Sequence, residues 1–328
     1  MTHHQTLPPS SVLTTRTTTT LSSLYDNALW NAKPKDRLTL LAQRANHTRV
    51  APSPTGHMHL GTLRTAWHNF LVAKQTGGTF LLRIDDTDQA RNTDCAKQMI
   101  FDMMKHFHLG FDQQIYQSDR FSHYQQVALD LVNSGAAFYD QGKIVVNIPN
   151  GYRASFFDVA CGKQDIPVPQ PLLTILRQDG TPTYHFASVV DDIDYQINFV
   201  LRGGDHLMNT PKHILLAQLL AKQGYNGAQD FINHVVFAHL GLITHHKVKL
   251  SKRDHASNML DYNDLPIKAV LHWALMLGWG HPKSNFDQLY PVFHDYDFFM
   301  QGGFKPSNMD INLPKLQSLC KIYKKAGL

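Results

Sequence analysis

Apolar positions along most of this chain alternate between the period of a strand and the period of a helix. Thr48-Arg49-Val50-Ala51 reads as a short strand, stopped by Pro52-Ser53-Pro54-Thr55-Gly56. Leu60, Leu63, Trp67, Phe70 and Leu71 then fall on one helical face, and Gly77-Gly78 ends that helix. Phe80 to Ile84 predicts a strand, and Ile100, Met103, Met104 and Phe107 a second helix. Phe121, Tyr124, Ala128, Leu131 and Val132 mark a third helix. Asn198 to Leu201 predicts another strand. Thr210-Pro211 opens a helix carrying Ile214, Leu215, Leu219 and Leu220, and Phe231 to Leu240 predicts the next strand. From Leu265 the pattern is mainly helical, through Val270, Leu271, Ala274, Leu275 and Leu277.

Strands alternating with helices at this spacing predict an α/β fold: a parallel sheet with crossover helices. Residues 112–183 break the alternation and read as an insertion. Apolar runs such as Val235 to Ile243 are interrupted by His239 and are too short to span a bilayer, so no membrane segment is expected.

Composition narrows the class. With 328 residues, 43% hydrophobic and 17% charged, the chain is globular, about two domains long, and not disordered or fibrous. The net charge of +5 permits a polyanionic partner without demanding one. Cys95, Cys161 and Cys320 are widely separated, forming neither a zinc pair nor a disulfide framework, which suits a reducing cytoplasm. The first 25 residues hold no acid, and twelve of them are Ser or Thr. This segment reads either as a targeting leader or as a flexible extension. One arginine and no clear amphipathic face favour the extension. Order is expected from Arg49.

Two motifs carry chemistry. In the first, a strand, a Pro/Gly loop and a helix start run through Ala51-Pro52-Ser53-Pro54-Thr55-Gly56-His57-Met58-His59-Leu60-Gly61. A helix N-terminus favours phosphate, Gly56 and Gly61 allow close approach, and His57 and His59 can donate to phosphoryl oxygens. Alone, this could also be an ordinary loop with two surface histidines. The second is Lys249-Leu250-Ser251-Lys252-Arg253, which reads as a polyphosphate-holding loop or as a solvated basic run. The two together, on one parallel sheet, describe a nucleotide-activating enzyme.

The motifs, in order, resemble those of the class I glutamyl-tRNA synthetase family. Arg49 to Gly61 resembles its opening, and Leu82-Arg83-Ile84-Asp85-Asp86-Thr87-Asp88 its RIEDTD. Tyr116 to Phe121 is similar to YQSERF, and Asp179 to Ala187 with Val189 to Asp192 to DGTPTYNFA and VVDD. Leu201-Arg202-Gly203-Gly204-Asp205-His206-Leu207 resembles IRGEDHL, Asn209-Thr210-Pro211 its NTP, and Lys249 to Arg253 its KMSKS-type loop. The likeness runs from Arg49 to about Lys325.

The resemblance implies a Rossmann-like catalytic domain with an inserted acceptor-binding subdomain and a short helical C-terminal region. It divides the chain into a flexible Ser/Thr-rich extension (1–48), a first catalytic half (49–111) and a connective insertion (112–183). A second catalytic half (184–244) and the KMSKS-type loop with a partial stem-contact region (245–328) follow. It implies a ligase that activates glutamate with ATP and transfers it to tRNA. His57, His59, Lys249 and Lys252 are the implied catalytic residues. Gly56, Gly61, Asp205, His206 and Ser251 join them at ATP, and Mg²⁺ accompanies the nucleotide. Arg49, Ser53, Asp85, Tyr184, Ser188 and Arg202 are the implied glutamate pocket; glutaminyl enzymes lack an arginine at the place of Arg202. Asp191 and Asp192 are read as structural, capping a turn.

The chain also departs from the family. Asp85 stands for Glu, Gly204 for Glu and Ser188 for Asn. No room or cysteines remain for zinc after Tyr139. The sequence ends at Leu328, where the family continues into anticodon-binding domains, so a truncated enzyme gripping the acceptor half of tRNA is expected, as a monomer. Two alternatives stay open: a paralogue similar to glutamyl-queuosine tRNA(Asp) synthetase, and a non-catalytic tRNA- or partner-binding protein.

Overall fold

Fully buried runs build the centre of the molecule. The computed structural model describes residues 18–20, 29, 31–33, 36–55, 59–249, 262, 264–280 and 299–327. Its first half contains β1 (Thr18–Thr20), α1 (Arg37–Leu41), β2 (Thr48–Val50), α2 (Leu60–Thr76), β3 (Phe80–Ile84), α3 (Asp94–His106), β4 (Gln113–Tyr116) and α4 (Phe121–Asn133). Then come β5 (Phe138–Asp140), β6 (Lys143–Asn147), β7 (Arg153–Asp158), β8 (Gly162–Pro167) and β9 (Leu172–Leu176). The second half holds α5 (Tyr184–Asp194), β10 (Phe199–Gly203), α6 (Thr210–Lys222), α7 (Ala228–His234) and β11 (Val236–Leu240). The remainder comprises β12 (Ile243–His245), β13 (Val248–Lys249), α8 (Ile267–Met276), β14 (Trp279–Gly280), β15 (Gly303–Phe304), β16 (Met309–Asp310) and α9 (Leu313–Lys325).

The expected parallel sheet is present in two parts. β2, β3 and β4 pair in parallel, as do β10, β11, β7 and β1. The parts meet at His47, whose carbonyl accepts the N–H groups of Asn198 and Phe199, each at 3.2 Å. Past that point no ladder pair joins β2 to β10. Asn69 of α2 sits at the divide: its side chain donates to the Leu201 carbonyl at 3.1 Å, and its carbonyl accepts from Thr48 Oγ1 at 2.9 Å. A crevice therefore opens at the C-terminal ends of β2 and β10, where parallel α/β sheets bind ligands.

Strand alternation distributes side chains to the two faces. Phe157, Phe199, Leu201, Val236 and Ala238 join one core with α2, α3, α8 and α9. Phe156, Val200 and Phe237 join the other, with α4, α5 and α6. β5, β6 and β9 form a separate antiparallel sheet, while β7 and β8 form a hairpin on the parallel one. The span expected as an insertion thus includes β4 and β7, each laddered into a parallel sheet.

Two expectations are corrected. Phe231 to Leu240 is not one strand: Ala228–His234 is a helix, in which Ala228 and Phe231 are buried, and the strand begins at Val236. Both segments are apolar and short, so periodicity alone does not separate them. The folded body also begins before Arg49. Leu29, Leu38 and Leu41 are fully buried in the core, and Arg37 Nη1 donates to the Val159 carbonyl at 2.9 Å. The i, i+3 pair Leu38/Leu41 was the available signal. Most of residues 1–35 lie outside the described residues.

Candidate active site

A cleft of about 530 Å³ lies at the crevice. Its walls come from the end of β2 (Arg49 to Ser53), the start of α2, the end of β3 and the end of β10, with Tyr184 from α5. Four arginines (49, 64, 83 and 202) and two aspartates (85 and 205) line it, so its bare lining favours anions.

The arginines differ in what holds them. Arg49 is 3% exposed and bidentate to Asp192, with Nε–Oδ1 at 3.0 Å and Nη2–Oδ2 at 3.2 Å. Arg83 donates to Asp85 Oδ1 at 2.7 Å and to Asp192 Oδ1 at 2.8 Å, with Asp191 at 3.7 Å. Arg64 Nη1 is fixed by the Gly241 and Leu277 carbonyls at 2.7 and 3.2 Å. Arg202 has no carboxylate within 4 Å among the described residues. It donates through Nε to His239 Nε2 at 3.0 Å and through Nη2 to Thr210 Oγ1 at 2.8 Å. Its bonds to the Tyr184 hydroxyl and the His206 carbonyl, both on the cleft wall, are long at 3.4 Å each.

Asp191 and Asp192 lie within α5, one turn before its end, and cap no turn. Their carboxylates anchor arginines instead. Asp191 accepts from Arg120 Nε at 2.9 Å, Tyr124 at 2.7 Å and Gln117 at 2.8 Å. Burial pushes Asp192 up, but the pull of Arg49 and Arg83 outweighs it, and its pKa is lowered. Burial raises Asp85 to about 6, against the opposing pull of Arg83.

The predicted site residues divide into three groups. Arg49, Ser53, Asp85, Tyr184, Arg202, His59, Gly61, Asp205 and His206 all line the one cleft. Ser188 is fully buried and lies off the cleft wall, accepting from Arg83 Nη2 at 3.3 Å. Gly56, His57, Ser251 and Lys252 lie outside the described residues, as does the side chain of Lys249. His59 is the residue before α2, and its ring folds over the helix start. A Cβ at Gly61 would meet that ring at 2.8 Å, so a side chain there would push the ring aside.

Sequence reasoning missed Arg83, Arg64, Asp158 and His239. Arg83 and Asp85 are two apart at the end of one strand and so share a face, a signal present in the motif itself. Asp158 and His239 are 81 residues apart, joined by a 2.6 Å hydrogen bond that only the β7–β11 neighbourhood creates.

Comparison with known proteins places the chain in a family. The family model for the catalytic domain of class I tRNA synthetases (E and Q) matches residues 46–144 and 143–289. A protein of Neorickettsia sennetsu named glutamate–tRNA ligase 2 is 38% identical over 280 residues, which is 84% of this chain and 65% of that protein. A glutamate–tRNA ligase of Akkermansia muciniphila is 37% identical over 73% of this chain and 56% of its own length. The chain therefore spans less than two thirds of the length of these relatives. The crystal structure of a glutamate tRNA ligase from Elizabethkingia meningosepticum, in complex with its amino acid, shares the fold with a TM-score of 0.69 at 22% identity. That alignment covers 86% of this chain and 70% of the other. With the crevice, the arginine-lined cleft and the family match over most of its length, this chain belongs to the class I tRNA synthetases of the E and Q type, and carries their catalytic domain.

Proposed function

We propose that this chain activates glutamate with ATP and passes the glutamyl group to tRNA. Arg202 carries the reading. It is a buried guanidinium facing the cleft, without a carboxylate partner among the described residues, and its cleft-side hydrogen bonds are long enough to be exchanged. A substrate side-chain carboxylate would satisfy it by charge-assisted bonds that a carboxamide cannot match. Asp85 offers the opposite charge for the ammonium group. Ser53, Tyr184 and Arg49, the last with its charge already paired with Asp192, would border the same substrate, and Ser188 would act only through Arg83.

ATP would lie at the start of α2, where free N–H groups favour phosphate, beside Gly56, His57, His59 and Gly61. Asp205 and His206 would border it, and Mg²⁺ would travel with its phosphates. The glutamate α-carboxylate attacks the α-phosphorus, pyrophosphate leaves, and Lys249, Ser251 and Lys252 stabilise the charge on it. A terminal ribose hydroxyl of tRNA then takes the glutamyl group. Protein groups position the reactants and offset charge. Residues 112–183 would receive the acceptor end and 245–328 the adjoining stem.

Glutamate-dependent ATP–pyrophosphate exchange, with and without tRNA, tests this. Exchange that requires tRNA is expected. Exchange without tRNA would favour the queuosine-type paralogue, and none under either condition would leave a binding protein. Lys252→Ala is expected to lower exchange strongly without altering folding; an unchanged rate would remove the loop from the mechanism.

A further inference from the structure

Behind Arg202 lies a hydrogen-bonded chain that makes no contact with the cleft. Arg202 Nε donates to His239 Nε2 at 3.0 Å, and His239 Nδ1 lies 2.6 Å from Asp158 Oδ2. Asp158 and His239 are both fully buried. The other Asp158 oxygen accepts the backbone N–H groups of Ala160, Cys161 and His239, at 3.0, 2.7 and 3.2 Å, so the carboxylate cannot turn.

The protons on this chain follow from chemistry. A guanidinium has only donors, so the ring nitrogen facing it must accept. His239 is therefore neutral, with its proton on Nδ1, directed at Asp158. Burial lowers its pKa, consistent with the neutral ring. Thr210 Oγ1, which accepts from Arg202 Nη2, lies 3.2 Å from the same Nε2. On the opposite edge, His213 Nδ1 lies 3.3 Å from Arg202 Nη1. Arg202 is thus held most tightly from behind, by Thr210 and His239, and most loosely on the cleft side.

We propose that Asp158 and His239 are positioning residues for amino-acid selection. Asp158 fixes the His239 tautomer, and His239 Nε2 holds the edge of Arg202 so that its loosely bonded N–H groups, at 3.4 Å from the Tyr184 hydroxyl and the His206 carbonyl, face the cleft. The proposal rests on reading Arg202 as the contact for the substrate's carboxylate.

Asp158→Asn tests it with little change of shape. The carboxamide oxygen keeps the backbone bonds, while its NH₂ group faces His239 Nδ1 and drives the ring proton to Nε2. Two donors, Arg202 Nε–H and His239 Nε2–H, then oppose each other. The KM for glutamate in ATP–pyrophosphate exchange should rise about tenfold or more, with the KM for ATP unchanged. His239→Leu should do the same. His239→Gln, which can accept from Arg202 and donate to Asp158, should stay within about threefold of the parent. A folded Asp158→Asn enzyme whose glutamate KM is unchanged, or whose ATP KM rises in parallel, overturns the proposal. If Asp158→Asn does not fold, the His239 pair decides: equal impairment of the Gln and Leu variants overturns it.

A second measurement needs no activity. Histidine ring ¹⁵N shifts of the ligand-free parent should place the His239 proton on Nδ1; a proton on Nε2 overturns the proposal. If the parent shows no exchange with glutamate, glutamate activation fails as the reading of the cleft, and this spectrum still decides the tautomer.

Discussion

Asp192 grips Arg49 with both carboxylate oxygens, at 3.0 and 3.2 Å, and with one of them also takes Arg83 Nη1 at 2.8 Å. A single carboxylate of α5 thus ties together guanidiniums from β2 and β3, and Asp85, bonded to Arg83, extends the network to the cleft wall. Removing that charge leaves two buried cations short of a partner. Asp192→Asn is expected to destabilise the fold by about 3–5 kcal/mol. Urea unfolding measures this, and a loss below about 1 kcal/mol would show the network to be dispensable.

Arg202 is the arginine of the cleft that a substrate carboxylate would complete. Arg202→Gln offers an uncharged side chain at the same place. Glutamate KM in exchange should rise about a hundredfold, because a charged hydrogen-bonding pair is lost in a buried site. Preference for glutamate over glutamine should shrink with it. Retained preference would place the selecting group elsewhere.

Acid should unfold this protein readily. Burial lowers His68 to about 3, His185 and His206 to about 4, and His213 well below its ordinary range. The unfolded chain binds these protons near pH 6.5 and the folded one does not, so stability is full above that pH. It is lost progressively as pH falls from 6.5 toward 4. Each fully buried ring, such as His68 or His213, contributes up to about 1.4 kcal/mol per pH unit within its window. Thermal unfolding between pH 7 and 5 should show a steep fall in midpoint, reduced in His68→Gln; a flat profile contradicts the assignment.

Asp85 acts in the opposite sense. Its folded pKa, raised to about 6, makes the folded chain hold a proton there that the unfolded chain has already released. This term favours the fold at low pH and is lost between about 4 and 6 as pH rises. A protonated Asp85 cannot pair with a substrate ammonium. Amino-acid KM is therefore expected to climb below pH 6, and Asp85→Asn should give a uniformly raised and flatter profile over pH 5 to 8.

Gly204 is packed against the backbone at the end of β11. A Cβ there would lie 2.9 Å from the Leu240 carbonyl oxygen at the end of β11. That oxygen belongs to backbone and cannot swing away. Gly204→Ala should cost about 1–3 kcal/mol by overpacking. An unchanged melting temperature would mean that the β10–β11 edge yields without penalty.

Much of the fold was legible. Phe80–Ile84 and the α2 stripe through Leu60, Leu63, Trp67 and Leu71 carry periods that admit one reading, and both elements form where expected. The Phe231–Leu240 run did not, because a short apolar helix and a buried strand share a hydrophobic pattern. In the cleft, Arg49, Asp85, Tyr184 and Arg202 could be named because they stand in contiguous motifs. Asp158 and His239 could not, since each looks like any strand residue until β7 and β11 are neighbours.

By itself the sequence determined the alternation of strand and helix, the family and part of the cleft wall. These depend on local periodicity and on short motifs, which linear spacing records. Tertiary structure alone decided what each arginine is bonded to. Arg49 and Arg83 are neutralised from α5, whereas Arg202 is backed by neutral groups and left with its charge toward the cleft. Four arginines with the same side chain differ in role because desolvation and the nearest carboxylate, set by chain crossings over a hundred residues apart, fix what each has left to give a ligand.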